Sequence, residues 1–303
     1  MQTIPGKMHA DEVAVPPELV TRLLAEQFPH WANLPLAPVP SAGTDNALYR
    51  LGDEMAVRLP RIHWAVGQVE KEMRWLPKLA PHLPLAIPQP LALGEPGHGY
   101  PWRWSIYRWL DGANATPEAI ADPRQAALAL AEFVAAIQQL DFTDPPTGRG
   151  VPLAERDPAV RSAIASLHND YDPDILAAAW EMALHTPPWP GPPTWHHGDL
   201  HVGNLLARNG RLSAVIDFSC LGVGDPACDV MAAWLYLSKE NRAIFRSVLG
   251  VDENTWARGK GWALSMGLMA LPYYRTTNPV LAGIARRAID EVLADLNNER
   301  GEK

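Results

Sequence analysis

"HHGDLHVGNLL", His196 to Leu206, places three histidines, an aspartate and an asparagine within nine residues, just ahead of an apolar run. Asp199 and Asn204 stand five apart, with Gly198 before and Gly203 within, so the backbone there is able to turn tightly. Thirteen residues after Asn204 comes Asp217, in "LSAVIDFSCLG". Between them "NLLA", a turn at Arg208-Asn209-Gly210-Arg211 and "LSAVID" read as strand, tight turn and strand. A hairpin of that length returns Asp217 to the side of Asn204. One carboxylate and one amide oxygen side by side suit Mg²⁺, a hard ion that keeps waters and borrows ligands from substrate phosphates. Asp199, just upstream, is then free to orient a hydroxyl and accept its proton.

Outward from this motif the chain changes character twice. Residues 16–28 have helical spacing behind a proline start, and 34–60 alternate as strands joined by hairpins, with a turn at Gly52-Asp53. Residues 63–80 return to helical spacing, with Val66, Val69, Met73, Leu76 and Leu79 on one face. "IPQPLALG" and "YPWRWSIYRWL" give two more strands, and the glycines of "GEPGHGYP" between them read as a hairpin turn. Beyond "LDGANATP" the pattern predicts long helices over 117–139, 158–184 with a break at Pro173, 225–249, 253–271 and 279–297. Most of the twelve tryptophans read as core or strand-pairing residues.

The charge supports the same division. Residues 1–110 carry ten basic and ten acidic side chains, so the whole net charge of −8 lies in 111–303. That balance argues against a nucleic-acid backbone as partner and suits a cationic ligand. The 303 residues, 47% hydrophobic, contain no apolar run long enough for a membrane span, and the start lacks the layout of a signal peptide. Cys220 and Cys228 are too few and badly spaced for a zinc site or a disulfide framework, so they are expected to be reduced packing residues. A cytoplasmic protein without nucleic-acid or membrane partners is the expectation.

His197-Gly198-Asp199, Asn204 and Ile216-Asp217-Phe218, in that order, resemble the aminoglycoside phosphotransferase family and its choline- and macrolide-type relatives. The later "GVGDPACDVMAAW" is similar to the family too. The resemblance implies a two-lobed α+β fold of protein-kinase type, with 1–110 as a nucleotide-binding lobe and 111–303 as a helical lobe. The helical lobe would carry the catalytic loop and the acceptor site. It implies a kinase with Asp199 as base and Asn204 and Asp217 on Mg²⁺. His197 would hold the loop by hydrogen bonds, Asp225 would cap the next helix, and Asp229 would support the loop; His196 and His201 are read as non-catalytic.

For the nucleotide, ATP or GTP, no Walker-type loop occurs. The candidate phosphate loop is "SAGTDN", with Ser41, Gly43, Thr44 and Asn46 as ligands. The family resemblance calls for a cation on the next strand and a glutamate on the first helix. "EMAVRLPR" supplies Arg58 where lysine is common, and its partner is expected to be Glu72 rather than Glu70, since Glu72 lies one turn before Leu76. Arg61 is the next candidate cation. "SIYRWLDG" is similar to the lobe linker, so adenine would bond to backbone groups around Arg108 and Leu110. The expected acceptor is a small cationic molecule of aminoglycoside or macrolide antibiotic type, with Asp170, Asp172 and Glu240 as candidate contacts. The alternatives are a metabolic kinase of choline, sugar or amino-acid type, or a weakly active nucleotide-binding pseudokinase.

Overall fold

The alternation in residues 34–60 becomes an antiparallel sheet in the computed structural model, which describes residues 12–40, 43 and 45–301. The chain divides into two units, Met1–Pro81 with Ala86–Asp111 and His82–Leu85 with Gly112–Lys303. In the first, α1 (Pro17–Gln27) precedes β1 (Leu36–Pro38), β2 (Asn46–Leu51) and β3 (Met55–Pro60). Then come α2 (Gln68–Leu79), β4 (Pro90–Gly94) and β5 (Trp104–Arg108). The strand order is β1-β2-β3-β5-β4, every neighbouring pair antiparallel.

Successive strand residues face opposite ways. Tyr49, Leu51, Val57, Leu59, Trp104 and Ile106 therefore share a face, where they form one core with Leu19, Val20, Leu23 and Leu24 of α1. Arg58 falls on the other face. The helix α2 begins after Gly67, later than the apolar spacing suggested, and leaves Val66 exposed. Its buried residues Val69, Glu72, Leu76 and Leu79 recur at helical spacing, so a carboxylate sits within an apolar stripe. "GEPGHGYP" is the turn that the spacing suggested, closed by a bridge between Gly97 and Tyr100.

The second unit opens with β6 (Ala113–Asn114), followed by α3 (Pro123–Gln138), α4 (Leu153–Ser166), α5 (Pro173–Leu184) and β7 (Thr194–His196). The hairpin β8 (Leu205–Arg208) and β9 (Arg211–Val215) is joined edge-on by β6, while β10 (Gly222–Gly224) pairs with β7. The rest is helical: α6 (Ala227–Val230), α7 (Ala232–Leu235), α8 (Lys239–Leu249), α9 (Glu253–Tyr274) and α10 (Pro279–Gly301). The central helix α9 is buried on most sides, from Thr255 through Leu271.

Two helical expectations change. The span 225–249 is three short helices, because Ser238 is extended at φ −72° and ψ 160° and starts α8 afresh. The helix expected from 158 begins at Leu153, so Pro158 lies in its second turn and leaves one i→i−4 hydrogen bond unmade. Pro173 opens α5, with the Asp172 carboxylate accepting from Asp174 N–H at 2.9 Å. Among the described residues no helix is long and apolar enough to cross a membrane.

Candidate active site

The loop from His196 to Asn204 is held from beneath by two buried side chains. Asp229 accepts from His197 N–H at 2.8 Å and from Gly198 N–H at 2.7 Å. Burial pushes its carboxyl up to about 6, against the downward pull of those two bonds. His197 Nδ1 accepts from Asp199 N–H at 3.2 Å, which leaves the proton on Nε2 to be donated to Ile216 O at 3.1 Å. Burial lowers the His197 pKa to about 4, so the ring is neutral and ties the loop to the end of β9. Gly198 takes the turn at φ 83°.

The hairpin places its two ends together. Ile216 N–H donates to Asn204 O at 2.9 Å, and Leu205 pairs with Val215, so Asp217 follows directly beside Asn204. The turn is two residues long, Asn209 at φ 53° and Gly210 at φ 78°, the left-handed pair that suits strand twist. Asn204 Nδ2 donates to Asp199 O at 2.9 Å and to Asp199 Oδ2 at 3.0 Å. With the amide nitrogen committed, Asn204 Oδ1 is the atom left to meet a cation. Asp217 is half-buried at φ 61°, its Oδ1 accepting from Ser219 N–H at 3.3 Å.

Among the described residues no group of three or more His, Cys, Asp or Glu forms a metal cage. One carboxylate and one amide oxygen fit an ion that completes its shell with water and phosphate, as Mg²⁺ does.

Asp199 itself is surrounded by donors. Arg149 Nη1 lies 2.6 Å from Asp199 Oδ1 and also donates to Gly198 O at 2.9 Å. His201 accepts from Gly203 N–H at its Nδ1, 3.0 Å, and turns Nε2 toward Asp199 Oδ2 at 3.5 Å. Burial would raise the Asp199 carboxyl; the Arg149 charge and then His201 outweigh it and hold it well below the usual carboxylate range.

In the other unit Arg58 and Glu72 meet as the spacing suggested. Arg58 Nη1 lies 2.6 Å from both carboxylate oxygens, and Tyr107 OH also donates to Glu72. With its amide turned to satisfy both groups, Asn46 accepts from Arg58 Nη2 at 3.0 Å and Nε at 3.2 Å. Asn46 is thus a brace for Arg58 from the neighbouring strand. Glu70 is more exposed and reaches Arg103 at 3.4 Å, while Arg61 pairs with buried Glu12 at 2.9 Å. Gly43 is exposed in the loop before β2; Ser41 and Thr44 lie outside the described residues. Arg108 N–H donates to Gln89 O at 2.8 Å and Trp109 N–H to Glu54 O at 2.7 Å, so both are committed to their own unit, and Leu110 is half-buried next to them.

The profile of the phosphotransferase enzyme family matches residues 37–262, which span β1 to α9 and so include both of these sites. The chain belongs to this family. The GDP and kanamycin complex of APH(2")-IIia is similar in fold at TM-score 0.70 and 19% identity, over 91% of this chain and 98% of that one. The GDP complex of wild-type aminoglycoside 2'-phosphotransferase-IIIa gives 0.69 at 17% identity, over 91% and 98%. Macrolide 2'-phosphotransferase MphH from Brachybacterium faecium, as apoenzyme, gives 0.58 at 22% identity, again over 91% and 98%. At such identities these likenesses establish the protein-kinase-like α+β fold. No curated protein sequence matches significantly.

Two residues of this phosphotransferase escaped the sequence reading. Arg258, on α9, bonds the Asp225 carboxylate at 2.7 Å while Asp225 accepts from Ala227 N–H at 2.9 Å, so the expected cap is also half of a buried ion pair. Arg149 is the other. The available signal was its setting, Gly148-Arg149-Gly150 facing Gly222-Val223-Gly224, since paired glycines mark close backbone approach. Of the candidate acceptor contacts, Asp170 pairs with Arg286 at 2.9 Å and Arg275 at 3.6 Å, and Asp172 caps α5.

Proposed function

We propose that this phosphotransferase moves the terminal phosphoryl group of Mg–ATP or Mg–GTP to a hydroxyl of a small molecule of aminoglycoside or macrolide antibiotic type. The observation that carries the reading is the joining of Asp199, Asn204 and Asp217: one amide bonds the candidate base at 3.0 Å and, through the hairpin, stands beside the second carboxylate. Asp199 is the base. Its depressed carboxyl is ionised at any working pH and weakly basic, so it orients the hydroxyl and takes the proton late, as a loose phosphoryl transfer permits. The acceptor oxygen bonds to the γ-phosphorus, the bond from that phosphorus to the β,γ-bridging oxygen breaks, and the nucleoside diphosphate leaves with the electron pair. The hydroxyl proton passes to Asp199.

Asp217 and Asn204 Oδ1 would hold Mg²⁺, whose chemistry is to neutralise phosphate charge. Arg58, fixed by Glu72 and Asn46, is the phosphate-facing cation, and Ser41, Gly43, Thr44 and Asn46 are the further phosphate-ligand candidates. Adenine or guanine would bond backbone near Arg108 and Leu110. The acidic balance of residues 111–303 supports a cationic acceptor. A cavity of about 450 Å³ in the second unit, lined by Ile120, Val202, Leu235, Tyr236, Ile284 and Arg287 among others, supports an acceptor with an apolar body.

The test is nucleotide turnover with Mg²⁺ against aminoglycosides, macrolides, choline and sugars. Acceptor-dependent release of nucleoside diphosphate with an antibiotic, and a phosphoryl group found on it, is expected. Turnover with choline or a sugar alone would replace the antibiotic reading by a metabolic one, and absence of turnover with every acceptor would remove the reaction.

A further inference from the structure

Arg149 lies outside every motif that the reaction uses, yet the chain is built to deliver it to Asp199. Residues 146–150 run beside β10: Val223 N–H donates to Pro146 O at 3.2 Å, Asp225 N–H donates to Gly150 O at 2.9 Å, and Thr147 bridges Val223 in parallel. The approach is so close that a Cβ on Gly222 would lie 2.2 Å from Gly148 N, and one on Gly224 would lie 2.1 Å from Gly150 O. Only bare backbone fits on both sides of that crossing. On its far side β10 pairs with β7, whose last residue, His196, leads into the loop and accepts from Gly150 N–H at 3.0 Å. Arg149 and Asp199, fifty residues apart, therefore stand on one small frame.

At the end of that frame the guanidinium is fixed rather than floating. Nη1 reaches Gly198 O at 2.9 Å and Asp199 Oδ1 at 2.6 Å, and it touches Met266 Sδ at 3.4 Å. Asn204 takes the other carboxylate oxygen, Oδ2, at 3.0 Å. With Arg149 on Oδ1, and Asn204 on Oδ2 with His201 Nε2 facing it at 3.5 Å, the plane of the carboxylate is set, and a remaining lone pair on Oδ1 is left for a hydroxyl. A half-buried carboxylate without such a partner would be free to rotate away from the acceptor.

We propose that Arg149 is a positioning residue that fixes the orientation of the Asp199 carboxylate for phosphoryl transfer. The inference rests on the reading of Asp199 as the base. It predicts an effect on turnover and none on nucleotide binding, because Arg149 acts through Asp199.

The experiment measures kcat and nucleotide KM for Mg–ATP and Mg–GTP, with the best acceptor of the panel and, without acceptor, for slow transfer to water. The variants are Arg149→Gln, Arg149→Lys, Asp199→Asn and the double Arg149→Gln/Asp199→Asn. Arg149→Gln is expected to lose roughly 10²-fold in kcat, the lower part of the range for a lost proton-transfer group, with KM within about twofold of wild type. Arg149→Lys should recover about tenfold of that loss and stay below wild type, since an ammonium keeps the charge without the fork. In the Asp199→Asn background the Gln change should cost nothing further in kcat.

Full kcat in Arg149→Gln, an equal loss in both backgrounds, or a lysine variant no better than glutamine would overturn the proposal. Should Arg149→Gln fail to fold, Arg149→Lys carries the test alone, with lowered kcat at unchanged KM expected and unchanged kcat overturning it. Thermal melting of the same four proteins separates this inference from the reaction itself. Arg149→Gln should melt below wild type and the double variant above Arg149→Gln, because it removes the carboxylate left alone. Coupled melting in a protein without turnover would retain the pair and discard the kinase reading.

Discussion

Arg58–Glu72 and Arg149–Asp199 are the same chemical pair at the same separation, 2.6 Å, built in opposite senses. In the first the carboxylate is the anchor: the Glu72 side chain is 2% exposed, lies in the apolar stripe of α2 and is bonded by Tyr107, while Arg58 is 14% exposed. In the second the two members are comparably open, at 25% for Arg149 and 18% for Asp199. The difference assigns the working member. On the proposed reading, Glu72 would hold a cation in place for a ligand to meet, whereas Arg149 would hold an anion in place. Breaking the first pair from the arginine side strands a buried charge; breaking the second strands one that water still reaches. The first should therefore weigh more on stability and the second more on turnover.

The sharpest way to break this contrast is at Asp199. Asp199→Asn keeps size but puts an amide nitrogen where one acceptor oxygen was and loses the base, and kcat is expected to fall by roughly 10³-fold or more with nucleotide KM nearly unchanged. Steady-state kinetics in both substrates checks this, and near-normal kcat would take Asp199 out of the mechanism.

Next in size is the hairpin end. Asp217→Ala and Asn204→Ala should both raise the Mg²⁺ concentration needed for half-maximal rate, the aspartate more because it supplies the charge. Asn204→Ala should in addition lower kcat at saturating metal, since its amide also holds Asp199 Oδ2 at 3.0 Å. An unchanged metal dependence in both would dissociate the hairpin from the metal.

Arg58→Ala should raise nucleotide KM and, by leaving Glu72 with Tyr107 alone, cost up to about 3 kcal/mol of stability in chemical denaturation. Arg58→Lys should be milder on both counts, and Glu72→Ala milder on KM than Arg58→Ala because the cation remains. The double variant should cost less than the sum. Additive losses would show that Arg58 and Glu72, though paired, do not act as a unit toward the nucleotide. The smallest effect is a control, Arg103→Gln, which breaks exposed pairs to Glu95 and Glu70. Its melting temperature should equal that of wild type within error, since exposed pairs contribute little.

The parts that could be read ahead of the structure are those whose partners are close in sequence or periodic. Asn204 and Asp217 are joined by a short hairpin whose Asn209-Gly210 turn has only one favoured geometry. Glu72 rather than Glu70 follows from the position of Leu76 on the same helix. Arg149 has neither aid: fifty residues separate it from Asp199, and the approach depends on absent side chains at Gly148, Gly150, Gly222 and Gly224, which no hydrophobic pattern records. The break of 225–249 into three helices is hidden for a related reason. Ser238 turns extended there without a capping side-chain bond, so no local signal marks the restart, and Asp225 ahead of the first helix is held by Arg258, thirty-three residues on.

Asp217 keeps its backbone at φ 61° and ψ 77°, the left-handed region. An L-residue there gives up on the order of 1 kcal/mol that glycine would not, with aspartate among the more tolerant. The chain thus holds a position where what favours folding and what favours reaction point to different amino acids. Asp217→Gly should melt at or above the wild-type temperature while losing metal-dependent turnover. A population of variants selected for heat resistance alone would be expected to drift at this residue toward glycine, and to go silent as it did so.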